Sequence, residues 1–228
     1  MTHPRYTPIQ QPQPGQPLPD LRHLPTRATR TAGLTTHGPT LPTRHAASPA
    51  GDHQIHTGVV MTEEEAARAQ LLAELGLELS GHSLFDEIAE DLGKATGFLY
   101  GFVNLFGPNA QHFTGLFQPL PEAGHPVLDR SMRLDHGWCP DVVRRKKSLP
   151  LHDVHAAPRF SGNPVVDAVG IRSYYGSPLI HPSGVPLGTV CVADPEKRKL
   201  EESTRLRDLV AGHGERTMKA IMQGAHLR

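Results

Sequence analysis

The sequence predicts an α+β fold built on a mostly antiparallel sheet, preceded by a segment that does not fold. Three observations carry this. Residues 1–60 hold ten prolines and six histidines, and their apolar residues stand singly, as in Gln16-Pro17-Leu18-Pro19. From residue 61 on, apolar residues recur three and four apart or in short continuous runs between Gly and Pro. The runs come as adjacent pairs joined by turn residues, which marks hairpins rather than long crossovers.

In residues 1–60 each proline removes an amide donor and turns the preceding residue away from helix. Such a segment cannot bury enough apolar area to offset the entropy of ordering it, so it reads as a disordered Pro/Thr/His-rich tail. It carries five Arg, no Lys and only Asp20 and Asp52, a net charge of +3. Those cations suit an anionic partner, but a passive tail explains the composition as well. No apolar h-region follows the arginines, so no secretory signal is expected, and the amphipathic period of a transit peptide is missing.

Residues 61–228 carry 18 basic and 21 acidic residues and are long enough for one ordinary core, burying about 70% of the unfolded surface. Thr62-Glu63-Glu64-Glu65 is a capping box, with acids suited to the helix dipole. Ala69, Leu72, Leu75 and Leu79 make one stripe behind it, and Gly81 is the expected stop. Ser83 begins a second helix that runs to about Thr96, with Leu84, Ile88 and Leu92 on one face and Gly97 as breaker. Phe98–Phe106 and Gln111–Gln118 read as a hairpin across Gly107-Pro108-Asn109, and a polar stretch follows from Pro119 to Asp135. Trp138–Lys147 fits a short helix with Val142 and Val143 inward, and Leu149–Asp153 a short strand. Pro164 opens another short helix to Ala168. Ile171–His181 and Val185–Ala193 form a second hairpin, and the chain is helical from about Glu196 to Met222, with Leu200, Leu206, Val210 and Ile221 as its stripe.

Composition excludes several classes. The 228 residues have zero formal charge, which removes the simplest case for a nucleic-acid binder. No run nears the roughly 18–20 apolar residues of a membrane span. Two cysteines make no disulfide framework. A soluble, cytoplasmic protein is the expectation.

Four motifs in order carry a family resemblance. They are Gly137-Trp138-Cys139, Asp153-Val154-His155-Ala156-Ala157-Pro158-Arg159-Phe160, Ile171-Arg172-Ser173-Tyr174-Tyr175-Gly176-Ser177-Pro178-Leu179 and Gly188-Thr189-Val190-Cys191-Val192-Ala193-Asp194. Together they resemble the second half of a GAF domain, and the likeness extends over about residues 66–212. It implies a central antiparallel sheet of five or six strands, with the two terminal helices packed together on one face. Short helices and loops would roof a ligand pocket on the other. It also implies binding of a small molecule or chromophore, or dimerisation through the terminal helices. Charging Leu72 and Val210 should then halve the mass in solution. The pattern of cyclic-nucleotide-binding members is missing, and neither cysteine has the surroundings of a bilin attachment site. The residues after the last strand read as one helix, so a signal is expected to pass to a separate signalling protein. No cofactor is identified.

The candidate ligand-binding residues are Trp138, Cys139, Asp153, Phe160, Asp167, Arg172 and Tyr174: aromatics with a few polar anchors, as a small-molecule site requires. As core aromatics they would need no ligand. Alternate residues of a strand face opposite sides, so only one of Tyr174 and Tyr175 can face the pocket, and Tyr174 is the choice. Cys139, at a helix start, is the best nucleophile candidate, yet it also fits as a small buried residue beneath Trp138. Cys191, in an apolar strand, reads as core, and a Cys139–Cys191 bridge requires Cα atoms within about 7 Å. The sequence also resembles the free methionine sulfoxide reductases around residues 137–139 and 153–155. Their chemistry needs a further thiol in the later loop, and Ser161-Gly162-Asn163-Pro164-Val165 has none. A reductase is therefore the alternative, and no catalytic residue is assigned. His136/Cys139 and His152/His155 have zinc-ligand spacing, but such pairs arise easily among 15 histidines, so no metal is expected. The basic run Arg144-Arg145-Lys146-Lys147 is explained as a solvated helix end.

Overall fold

The computed structural model describes residues 61–227; the tail expected at residues 1–60 lies outside the described residues. The first helix, α1 (Glu63–Glu74), has the expected capping box, with the Thr62 hydroxyl accepting from the Glu65 amide and the Glu65 carboxylate accepting from the Thr62 amide at 2.8 Å. It ends earlier than Gly81. Gly76 adopts φ +66°, and the Leu77 amide donates to the Leu72 carbonyl at 2.9 Å. That bond and the one from Gly76 to Ala73 make a left-handed stop whose apolar flank is Leu72 and Leu77. Leu79, expected in the helical stripe, therefore follows the helix instead. Arg68 seats α1 by donating from Nε to the Pro186 carbonyl at 2.7 Å.

Helix α2 (Ser83–Thr96) matches expectation and stops at Gly97, φ +70°. Strands β1 (Tyr100–Phe106) and β2 (Gln111–Phe117) form the first hairpin. A two-residue edge strand, β3 (Ser131–Met132), pairs with β2; the sequence reading had only a polar stretch there. Next come α3 (Cys139–Arg145), β4 (Leu149–Leu151), α4 (Pro158–Ser161) and α5 (Pro164–Val169). The second hairpin is β5 (Ser173–Ile180) and β6 (Pro186–Asp194), and α6 (Ser203–Met222) closes the chain. Residues 196–199, expected as helix, are not helical.

The six strands form one antiparallel sheet in the order β3-β2-β1-β6-β5-β4. Each face has its own apolar core. Leu72, Phe85, Leu92, Val103, Tyr175, Val190, Leu206, Val210 and Ile221 fill the helix-covered face. Helix α2 can lie directly on the strands because Gly101 and Gly115 have no Cβ; one there would collide with the Ala89 or Phe85 carbonyl. The helix beside α6 is α2, whereas α1 lies against β6, which corrects the expected pairing of the outermost helices. Leu72 and Val210 are buried in the chain's own core, so charging them tests folding rather than dimerisation.

Candidate functional site

The second face is covered by short elements, and a cavity lies beneath them. Along β1 and β6, Phe102 and Cys191 pair across the ladder and point the same way. Tyr174 joins them from β5, while its neighbour Tyr175 points into the opposite core, as strand alternation requires. The Tyr174 ring lies down along its own strand over Gly176, where a Cβ would strike the phenol. Its hydroxyl thereby reaches 3.3 Å from Cys139 Sγ.

The roof is held by side chains bonded to backbone. Gln111, fully buried, donates to the carbonyls of Arg133 (2.6 Å) and His136 (2.8 Å) and accepts from Asn104 Nδ2 at 2.9 Å. This fixes the turn leading into α3. Asn163 grips Gly137 at two points, accepting from its amide at 3.0 Å and donating to its carbonyl at 2.7 Å. The same Oδ1 caps α5 at Val165. Trp138 Nε1 donates to the Phe160 carbonyl at 3.3 Å, and the indole packs 5.3 Å from the Tyr174 ring. Between roof and sheet is an apolar space of about 50 Å³, whose lining includes Phe102, Phe113, Trp138, Cys139, Val165, Tyr174 and Cys191. That is room for a water or a molecule of few heavy atoms.

Of the seven candidate residues, the structure brings Trp138, Cys139 and Tyr174 to the cavity. Phe160 belongs to the roof and packs on the same core. Asp153, Arg172 and Asp167 do not line it. Arg172 turns outward and pairs with Asp153 at 2.9 Å. Burial pushes the Asp153 carboxyl up, but the Arg172 guanidinium and the His155 amide outweigh this and hold it below its ordinary value. Asp167 is exposed on α5. The sequence reading missed Gln111 and Asn163, whose roles are visible only once the segments 133–138 and 160–165 are neighbours. It also missed Cys191 as a cavity residue.

The two cysteines meet: Cys139 Sγ lies 3.5 Å from Cys191 Sγ, and both are free and buried. A hydrogen bond from Cys191 is the largest influence holding the Cys139 thiol below its ordinary value; Thr189, Tyr174 and Asn104 add to it against the opposing effect of burial. Burial pushes Cys191 well up, and it also keeps the Tyr174 phenol protonated. Among the described residues no three His, Cys, Asp or Glu side chains gather as metal ligands. In the basic run, Lys146 pairs with Glu64 at 2.6 Å and donates to the Gly184 carbonyl at 3.0 Å, so part of that charge is spent inside the molecule.

The antiparallel sheet thus carries long helices on one face and a roofed cavity on the other, an α+β domain with a site on its roofed side. The GAF domain family matches residues 80–211, and the chain belongs to that family. Among solved structures it is similar to the GAF domain of an Acinetobacter phosphoenolpyruvate-protein phosphotransferase, with 15% identity, 72% of this chain and 96% of that chain covered, and a TM-score of 0.49. It is similar to free methionine-R-sulfoxide reductase from Neisseria meningitidis in complex with its substrate (16%, 72% and 95%, 0.46). The A. aeolicus nlh2 GAF domain in an inactive state is a third (12%, 70% and 96%, 0.47). No curated protein matches the sequence. No helix among the described residues is long and apolar enough to cross a membrane.

Proposed function

We propose that this GAF domain senses a small molecule in the roofed cavity and passes the change on through dimerisation or to a separate signalling partner. The observation that carries the reading is the cavity itself, apolar in its walls, with Tyr174 and Cys139 among the residues that line it. This is the composition of a small-molecule site. The fitting ligand is compact and apolar. A larger one must lift the roof at the Asn163–Gly137 bonds. Strand β5 offers a short route outward, because Tyr174 touches the cavity while the Tyr175 hydroxyl meets Ser203 at the start of α6, 3.2 Å away. Native mass spectrometry and an absorption spectrum of freshly purified protein test the reading. A mass excess that disappears on denaturation supports it; a bare mass with no absorption beyond that of the protein overturns it.

A second reading, a thiol-dependent reductase of the free methionine sulfoxide type, draws on the adjacent thiols of Cys139 and Cys191. Against it, the second thiol comes from a strand rather than the later loop, and a cavity of about 50 Å³ is small for a free amino acid. Turnover of free methionine sulfoxide with a dithiol, abolished by Cys139→Ser, would establish it. No turnover ends it.

A further inference from the structure

We propose that Cys139 and Cys191 form a reversible thiol–disulfide couple whose oxidant is a small hydroperoxide reaching them through the apolar cavity. The chain has two cysteines, 52 residues apart, and the fold places them 3.5 Å apart, sulfur to sulfur. One lies on a strand of the sheet and the other on the first turn of the seven-residue roof helix α3. A disulfide needs about 2.05 Å, so the sulfurs must close by roughly 1.5 Å. A short helix hung on Gly137 and Asn163 is the part placed to make that move. Hydrogen bonds from Cys191 and the Tyr174 hydroxyl favour the thiolate at Cys139, the form that attacks. Cys191, fixed in the sheet beneath the roof helix, is the resolving thiol.

The chemistry balances as follows. Cys139 thiolate attacks one oxygen of the hydroperoxide; the O–O bond breaks, and the leaving oxygen departs as hydroxide (or alkoxide) and takes up the proton that Cys139 released on ionising. Cys139 is then a sulfenic acid. The Cys191 thiol attacks that sulfur, the S–O bond breaks, and hydroxide leaves with the Cys191 proton as water. With hydrogen peroxide, two thiols and one oxidant yield one disulfide and two waters. A dithiol reductant restores both thiols by exchange and leaves as its own disulfide. The space of about 50 Å³ is matched in size to hydrogen peroxide rather than to bulky disulfides or large organic peroxides. The couple shares the cavity with the proposed ligand but needs no other ligand to operate.

The test uses the full chain, reduced with dithiothreitol, freed of reductant and treated with one equivalent of hydrogen peroxide. It is then denatured, alkylated with N-ethylmaleimide and weighed. The expected uptake falls from two alkyl groups to none, in a monomeric chain on a non-reducing gel, and returns to two after dithiothreitol. In Cys191→Ala, dimedone should trap a sulfenic acid on Cys139. Retention of two alkyl groups after peroxide, or disulfides only between chains, overturns the couple, and the wild-type readout does not depend on how the variant folds. A bare native mass would sink the ligand reading and leave this one standing.

Discussion

The two faces of the sheet are built by different rules. On one, α2 and α6 are 14 and 20 residues long and rest on the strands, with Phe85, Leu92, Leu206, Val210 and Ile221 out of water. On the other, α3, α4 and α5 are seven, four and six residues long. Helices that short have no stability of their own. A few hydrogen bonds from Gln111, Asn163 and Trp138 set their position, and a cavity remains beneath them. The difference teaches that one sheet can be a fixed scaffold on one side and an adjustable cover on the other. Low local stability belongs where a ligand or a reagent must enter.

The contrast breaks most sharply on the scaffold side. Phe85→Ala should cost about 3–5 kcal/mol, because it empties a buried aromatic site between α2 and the sheet. A denaturant midpoint unchanged from wild type would show that this face is not the scaffold. Asn163→Ala is the corresponding cut in the roof. It removes the cap of α5 and both bonds to Gly137, and should cost about 1–2 kcal/mol. It should also speed amide exchange at residues 137–139 and native-state alkylation of Cys139, while α2 and α6 exchange as before. Equal acceleration on both faces would erase the distinction.

The scaffold was far more legible in the sequence than the roof. Helix α2 and both hairpins follow from local signals: apolar spacing, Gly97, and turn residues between short runs. Strand parity separates Tyr174 from Tyr175, but only the packed roof shows which of them meets the cavity. The end of α1 was misplaced because Gly76 and Gly81 are equivalent as letters; only the apolar pair Leu72 and Leu77 makes the first of them the stop. Strand β3 is two residues long and has no period to read. The meeting of Cys139 with Cys191 depends on how α3 crosses β6, a non-local fact. Asp153 and Arg172 suggest ligand anchors as charges near the roof, but two opposite charges at that distance satisfy each other first.

A weaker cut tests the roof's edge. The Arg172–Asp153 pair is partly exposed, so its contribution is screened, and Asp153→Asn should cost no more than about 1 kcal/mol at neutral pH. The sign follows from the depressed carboxyl pKa. Its stabilisation is complete above the ordinary Asp value and is lost as pH falls through the lower, folded value. Wild type and variant should therefore converge in urea stability at strongly acid pH. A gap that persists there would mean that the Asn is disrupting the Val154–Ala156 turn rather than removing a charge.

The smallest effect lies on the scaffold, where it reports a fixed face directly. His213 is buried in α6, and a ring nitrogen meets the Leu209 carbonyl at 2.8 Å. Burial holds its pKa below the ordinary histidine value of 6.5, and Arg216 adds to this against the Leu209 carbonyl and Asp91. The unfolded chain thus binds a proton at a pH where the folded chain does not, so stability rises with pH through that window. It is complete above the ordinary value and is lost as pH falls toward the folded one. His112, half-buried and shifted the same way, contributes in parallel. His213→Gln should therefore flatten, without abolishing, the decline in urea stability between about pH 7 and pH 5. An unchanged slope would mean that water reaches the ring, and that α6 lifts from the sheet as readily as the roof does.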